Sequence, residues 1–295
     1  MNLKNKLPSA SIIAASGLWG LTGLFVRKLN ASGFNNMHLL LIRSVVTALT
    51  LIIYLLITDR KKLRVKLRDL WYFFGTGILG FLAFGFFYFY TISNASMSVA
   101  AILLYTSPFF VMLMAAVFFR EKITLVKICA LILASLGCIL ICGTNNNITL
   151  TPVVIFTGIM SGFCYALYSI FGRIALSKYD SLTVTAYTFI FAAIGALFLI
   201  DVPDMIQVSA KHLDSFALSL VFAVVSAVLP YIFYTYGLSH TDTGKASIMA
   251  TFEAVMASVA GFAVFGEKLT VLGIIGIAFV LFAVALLNPV KKNKP

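Results

Sequence analysis

The feature that most constrains this chain is a succession of apolar runs, each about as long as a bilayer is thick and almost free of charge. Their bounds fall near 8–27, 37–58, 70–91, 97–119, 123–143, 151–173, 181–200, 214–237, 245–266 and 270–288. A helix needs ~20 residues to cross ~30 Å of hydrocarbon, so each run can make one span. Within lipid every backbone amide must find a partner inside the protein, which leaves helices or closed barrels. A barrel would show alternating segments of ~10 residues, and these runs do not alternate. The expected fold class is an all-α integral membrane protein with ten transmembrane helices. The first run alone could pass for a cleaved leader, but nine similar runs follow it, and it reads as a retained span.

Charge placement then orients the chain. Only 11% of the residues are charged and 61% are hydrophobic, against about 25% and 45–50% in soluble domains. A net charge of +12 would suggest nucleic acid in a soluble protein; here its distribution along the spans decides its meaning. With the N-terminus inside, 17 Lys and Arg fall on inner segments and 4 on outer ones. The positive-inside rule therefore predicts N-in and C-in, and no nucleic-acid partner is expected. The basic run Asp59 to Asp69 reads chiefly as an orientation signal, with a lipid-headgroup contact as the alternative. The connections at Asn30–Asn36, Thr144–Asn147 and Ser239–Thr243 read as turns, Asp201–Lys211 as the longest outer segment, and no appended soluble domain is expected.

The chain also repeats itself. Tyr90 to Thr124 returns in degenerate form as Tyr236 to Thr270, pairing Ser93 with Ser239, Phe119 with Phe265, Glu121 with Glu267, Lys122 with Lys268 and Thr124 with Thr270 at a constant offset of 146. The same offset sets Arg27 on Arg173, Trp19 on Tyr165 and Tyr88 on Tyr234. The halves are therefore 1–145 and 146–295, each with five helices, together forming one transport domain. Five is odd, so the second half should enter the membrane from the opposite side, and Glu121 should lie inside while Glu267 lies outside. Inverted repeats of this kind underlie many secondary transporters, whose halves exchange conformations around a central site.

Particular residues add a resemblance. Leu18 to Gly20 (LWG), Arg43, the run from Tyr105 (YTSPFFVML), FREKIT from Phe119, FEAVMA from Phe252 and FGEKLT from Phe265 together resemble the ten-helix EamA-type members of the drug/metabolite transporter superfamily, over nearly the whole chain. The resemblance implies a bacterial cell (inner) membrane location and ATP-independent export of small metabolites, amino acids or related compounds first. Efflux of toxic or cationic compounds is the alternative. Where the second repeat of the family often reads Glu-Pro, this chain has Glu253 and Ala254.

Glu253 is the most informative single residue. It lies ~13 Å into the ninth span at 1.5 Å per residue, where an ionised carboxylate costs about 2.5–3.5 kcal/mol. It should therefore face a cavity, hold a partner or be protonated, and it is the candidate for proton coupling or cation binding. Arg43, the other charge well inside a span, is expected to snorkel to the interface; an ion pair with Glu253 or a substrate carboxylate is the alternative. Trp19, Phe84, Tyr88, Tyr105, Ser107, Tyr165, Tyr168, Tyr231 and Tyr234 are deep enough, many at i, i+3 or i+4 spacing, to line a central cavity or simply to pack. Pro108 and Pro230 free carbonyls that could line a wet site. Small residues at Ser16 to Gly20 and Gly158 to Gly162 predict close contacts for the first helix of each half. The inner helices are expected to be one, three, four, six, eight and nine, with two, five, seven and ten more peripheral and dimerisation through five and ten as the alternative. Glu121 and Glu267 read as structural boundary residues ahead of the N-caps Thr124 and Thr270, with a gating role as the alternative.

Cys129, Cys138, Cys142 and Cys164 lie in apolar runs without metal-ligand spacing, and His38, His212 and His240 sit near span ends. No HExxH, GxSxG or P-loop motif is present. The expectation is a non-enzymatic carrier without cofactor or metal, whose partners are a small-molecule substrate, lipids and protons, acting as a monomer or homodimer. A non-transporting receptor or scaffold is the rival class.

Overall fold

The computed structural model describes residues 7–143 and 151–288. Its helices are α1 (Leu7–Ala31), α2 (Asn36–Thr58), α3 (Leu67–Asn94), α4 (Met97–Phe119), α5 (Leu125–Cys142), α6 (Pro152–Leu176), α7 (Ser181–Leu197), α8 (Val202–Lys211), α9 (Leu213–His240), α10 (Thr243–Phe265) and α11 (Val271–Leu287), with no strand among the described residues. Eight of them, all but α7, α8 and α11, are long and apolar enough to cross a membrane. Large apolar side chains such as Ile57, Leu67, Phe198 and Val271 stand on the outside, where only lipid or a partner would cover them.

Local chemistry sets the ends. Asn35 accepts from the His38 amide at 2.8 Å to start α2, and Thr151 and Asp180 cap α6 and α7 in the same manner. Thr124 and Thr270, the expected caps, accept from Lys127 N and Gly273 N to start α5 and α11. The segment 201–211, read from sequence only as a long connection, holds the helix α8, and the chain bends by 99° between the end of α7 at Leu197 and α8. Asp201 caps α8 and Pro203 stands in its first turn. Its Met205 and Val208 pack over Leu29, Phe34 and Leu39. Lys4, Lys6, Lys291, Lys292, Lys294 and the turn at Thr144–Asn147 lie outside the described residues.

The repeat is visible in the irregularities. α3 carries a π-helical stretch at Gly75–Leu82 and α9 one at Val224–Val228, and the last five positions of the first correspond to the second at the offset of 146. α4 breaks at Tyr105 and α10 at Thr251, again equivalent positions. The two long helices that follow those breaks end in left-handed residues, Arg120 (φ 55°) and Gly266 (φ 64°), also equivalent.

The halves interlock by exchange. α1 packs on α9 and α10 of the other half, while α6 packs on α3 and α4 of the first; α2 lies against α7 and α5 against α11. Glycine makes the closest approaches possible. A methyl group on Gly137 of α5 would stand 2.7 Å from the Gly276 carbonyl of α11, and one on Gly20 of α1 would stand 2.7 Å from the Glu253 carbonyl of α10. The α5–α11 contact is made within this chain.

The basic run does more than carry charge. Asp69 is buried and accepts from Lys178 Nζ at 2.8 Å and Tyr179 Oη at 2.7 Å, while Thr183 and Tyr187 of α7 donate to the carbonyls of Lys62 and Leu63. The segment between α2 and α3 is thereby fastened to the start of α7.

Candidate functional site

α4, α6 and α10 surround a small cavity lined by Leu104, Tyr105, Ser107, Pro108, Tyr165, Ser247, Ala250, Thr251 and Glu253. Both helix breaks open onto it. At Pro108 the ring removes the amide that would pair with the Leu104 carbonyl, so the chain is irregular at Tyr105–Thr106 and restarts at Ser107. In α10 no proline is present; Thr251 Oγ1 turns back to the Ile248 carbonyl at 2.7 Å, and a new helix starts at Phe252 with Glu253 in its first turn. The positive end of that helix favours a negative side chain there. Gly162 of α6 sits so close to the Leu103 and Leu104 carbonyls that a methyl group would come within 3.2 Å of both.

The space is narrow. It has room for roughly one water molecule. Among the described residues, Glu253 forms no ion pair within 4 Å.

An aromatic wall backs the cavity. Tyr165 meets Trp19 edge-on at 6.3 Å and Phe84 at 5.3 Å, and Phe84 continues to Tyr88 at 5.5 Å. Behind Trp19, Tyr231 is the hub of a second group with Phe81, Tyr168 and Phe189 at 4.9–5.6 Å. Tyr168 and Tyr234 pair with the Thr235 and Ser169 hydroxyls, each at 2.8 Å, which satisfies them inside the bundle. The candidates therefore divide. Tyr105, Ser107, Tyr165 and Glu253 line the cavity; Trp19 and Phe84 pack on Tyr165, with Tyr88 on Phe84; and Tyr168, Tyr231 and Tyr234 pack one layer further away.

Arg43 corrects an expectation. It does not snorkel outward: Nη2 donates to the Ser226 carbonyl at 2.9 Å, and the guanidinium lies over the rings of Phe81 and Phe222 at 5.4 and 5.6 Å. Pro230 has no amide to offer that carbonyl four residues back, and Arg43 is a donor that meets it. No Arg43–Glu253 ion pair is formed. Ser247 and Thr251, which the sequence reading did not select, also line the cavity. The repeat carried a signal for one of them, since Thr251 is the equivalent of Tyr105.

This arrangement of two broken helices, one carboxylate and an aromatic wall can be set beside known proteins. A model of the EamA-like transporter family matches residues 8–143 and 152–288. The chain belongs to the EamA-like transporter family. As an EamA-like protein it is a multi-pass integral membrane protein and a membrane transporter. Among its relatives is an uncharacterized transporter of Archaeoglobus fulgidus, 27% identical over 75% of this chain and 78% of the relative. The uncharacterized transporter YdfC of Bacillus subtilis is 23% identical over 88% and 84% of the two chains. The uncharacterized inner membrane transporter YicL of Salmonella typhimurium is 21% identical over 94% of both. A solved crystal structure superposes on this EamA-like chain with a TM-score of 0.78 at 14% identity, covering 95% of each, which shows a shared fold.

Proposed function

We propose that this EamA-like protein is a secondary carrier that exports small amino compounds, amino acids foremost, by alternating access, with Glu253 receiving the substrate ammonium or, in its absence, a proton. The observation that carries the reading is Glu253 itself: a carboxylate at the first turn of a broken helix, on a narrow cavity between the two halves. A buried carboxylate is costly without a cation or proton. Substrate and proton can alternate as its neutralising partner, which couples their movements in opposite directions.

The architecture supports the cycle. α7 and α11, at 17 residues, reach about 26 Å at 1.5 Å per residue, near the lower limit for a span. Counting them gives ten spans in two five-helix repeats of opposite topology, N-in and C-in, so that exchange of conformation between halves would open the cavity to each side in turn. A cavity with room for one water admits no metabolite until those helices part. The YicL relative, described as an inner membrane protein, favours the same membrane for this chain.

A second reading, efflux of organic cations, draws on the rings of Tyr165, Trp19 and Phe84 beside the carboxylate, since aromatic faces attract ammonium groups. Reconstitution into liposomes tests both. Purified protein loaded with labelled amino acids or quaternary amines should give substrate-specific flux that responds to a pH gradient, and Glu253→Gln should remove the pH response. Absence of flux for every amino acid, amine and drug, with or without a gradient, would overturn the carrier reading in favour of a receptor or scaffold.

A further inference from the structure

The same Glu-Lys sequence follows the broken helix α4 in the first repeat and α10 in the second, yet the two glutamates are used differently. Glu121 reaches from the end of α4 to the start of α10, where Oε1 accepts from Thr243 N at 2.7 Å and Oε2 from Gly244 N at 3.2 Å. Lys127 of α5 completes the cluster, 3.6 Å from Glu121 and 3.1 Å from Asp242. The Glu121 and Lys127 side chains are nearly buried, at 12% and 10% exposure. This cluster ties together the two broken helices that line the cavity.

By the offset of 146, Glu267 would meet the amides of Met97 and Ser98 at the start of α4, with Gly273 in place of Lys127 and Ser96 in place of Asp242. It does not. Glu267 pairs with Arg27 of α1 at 2.6 Å, with both side chains 48% exposed. Its carboxylate leans over Gly261 near the end of α10, where a methyl group would overlap it; the first repeat has Ala115 at that place. One end of the α4–α10 pair is closed by a charge cluster, and the other has the same glutamate folded back.

We propose that Glu121 is a gating residue, a latch between α4 and α10 that closes one end of the cavity, and that transport requires its release while Glu267 engages the Met97–Ser98 amides at the opposite end. The inference rests on the alternating-access reading. Charge-assisted hydrogen bonds from a helix N-terminus to a carboxylate are strong when shielded. Replacement of Lys127 and Asp242 by Gly273 and Ser96 makes the second latch the weaker one. The resting protein is therefore biased toward opening at the Glu267 end, and the unequal latches give the cycle a preferred waiting state.

Sidedness of access tests this. Ser247 lines the cavity; Ser247→Cys, in a chain with Cys129, Cys138, Cys142 and Cys164 changed to Ala, reports access to a membrane-impermeant thiol reagent applied to vesicles of either orientation. The reporter should label faster from the Glu267 end. Glu121→Ala should raise labelling from its own end about tenfold, and Gly261→Ala, which displaces Glu267 toward α4, should slow labelling from the opposite end. A purely structural role for Glu121 would lower thermal stability without changing sidedness. Labelling from both ends in unchanged ratio after Glu121→Ala would overturn the latch and leave alternating access standing; absence of labelling from both ends in every variant would overturn alternating access as well. If the cysteine-free chain does not fold, hydrogen exchange on the natural chain decides. The Thr243 and Gly244 amides should exchange more slowly than those of Met97 and Ser98, with Glu121→Ala removing the difference, and equal exchange at the start would overturn the latch.

Discussion

Arg43 donates to the Ser226 carbonyl across 2.9 Å, meeting an acceptor whose ordinary helical donor Pro230 removes. An arginine in one half thus repairs a defect in a helix of the other. Arg43→Met should destabilise the protein by about 1–3 kcal/mol, the cost of a buried carbonyl left unpaired. Pro230→Ala restores an amide four residues on, so the double variant should lose less than the single ones predict together. Thermal unfolding of the four proteins in one detergent measures the coupling.

Gly20 and Gly23 lie one turn apart in α1 but in different surroundings. A methyl group at Gly20 would meet the α10 backbone at 2.7 Å, whereas one at Gly23 would meet nothing within 4 Å. Gly20→Ala should destabilise by about 1–3 kcal/mol through forced separation of α1 and α10. Gly23→Ala should be neutral or stabilising by up to about 1 kcal/mol, because alanine is the better helix former. Equal melting temperatures for the two variants would contradict the packing described.

Hydrogen bonds to Asp69 and Tyr72 hold the Lys178 ammonium above its usual range. A pKa raised on folding adds stability below the unfolded value near 10.5 and loses it as pH rises through the folded value. Lys178→Met should therefore melt lower than the parent at neutral pH. The gap should narrow above pH 10.5 as the parent lysine loses its proton, and a gap that stayed constant into strong alkali would exclude this origin.

Tyr165 stands between the cavity and the rings of Trp19 and Phe84. Tyr165→Ala should weaken apparent affinity for an ammonium substrate about tenfold, near 1.4 kcal/mol, and raise KM more than it lowers kcat. Tyr168→Phe, one layer behind, should change stability through its Thr235 bond and leave KM near that of the parent. Transport kinetics in liposomes separate the two.

The all-helical, multi-span fold was legible in the sequence because the period of the apolar runs is a long-range pattern that single residues cannot disguise. The helix-end threonines, the small-residue contacts of Gly20 and Gly162, and the break before Pro108 followed from local chemistry. Arg43 did not. Its direction is set by a carbonyl on a helix that lies 183 residues away in sequence, and a lone arginine in an apolar run gives no sign of such a partner. Segment 201–211 was missed because eleven residues between two long apolar runs are too few to span and look like a connection until the bend behind them is known. Ser247 carries no charge and no aromatic ring, so only proximity to Glu253 in space marks it.

Ser107 and Glu253 occupy the same place in the two copies and face the same cavity. In a pair of identical five-helix chains, whatever stood at one would stand at the other, giving either two hydroxyls or two acids whose mutual repulsion would force one to keep its proton. Joining the copies in one polypeptide removes that arithmetic. The molecule can hold an odd number of charges at the junction of its halves, and a single acid there gives a bound molecule a head and a tail.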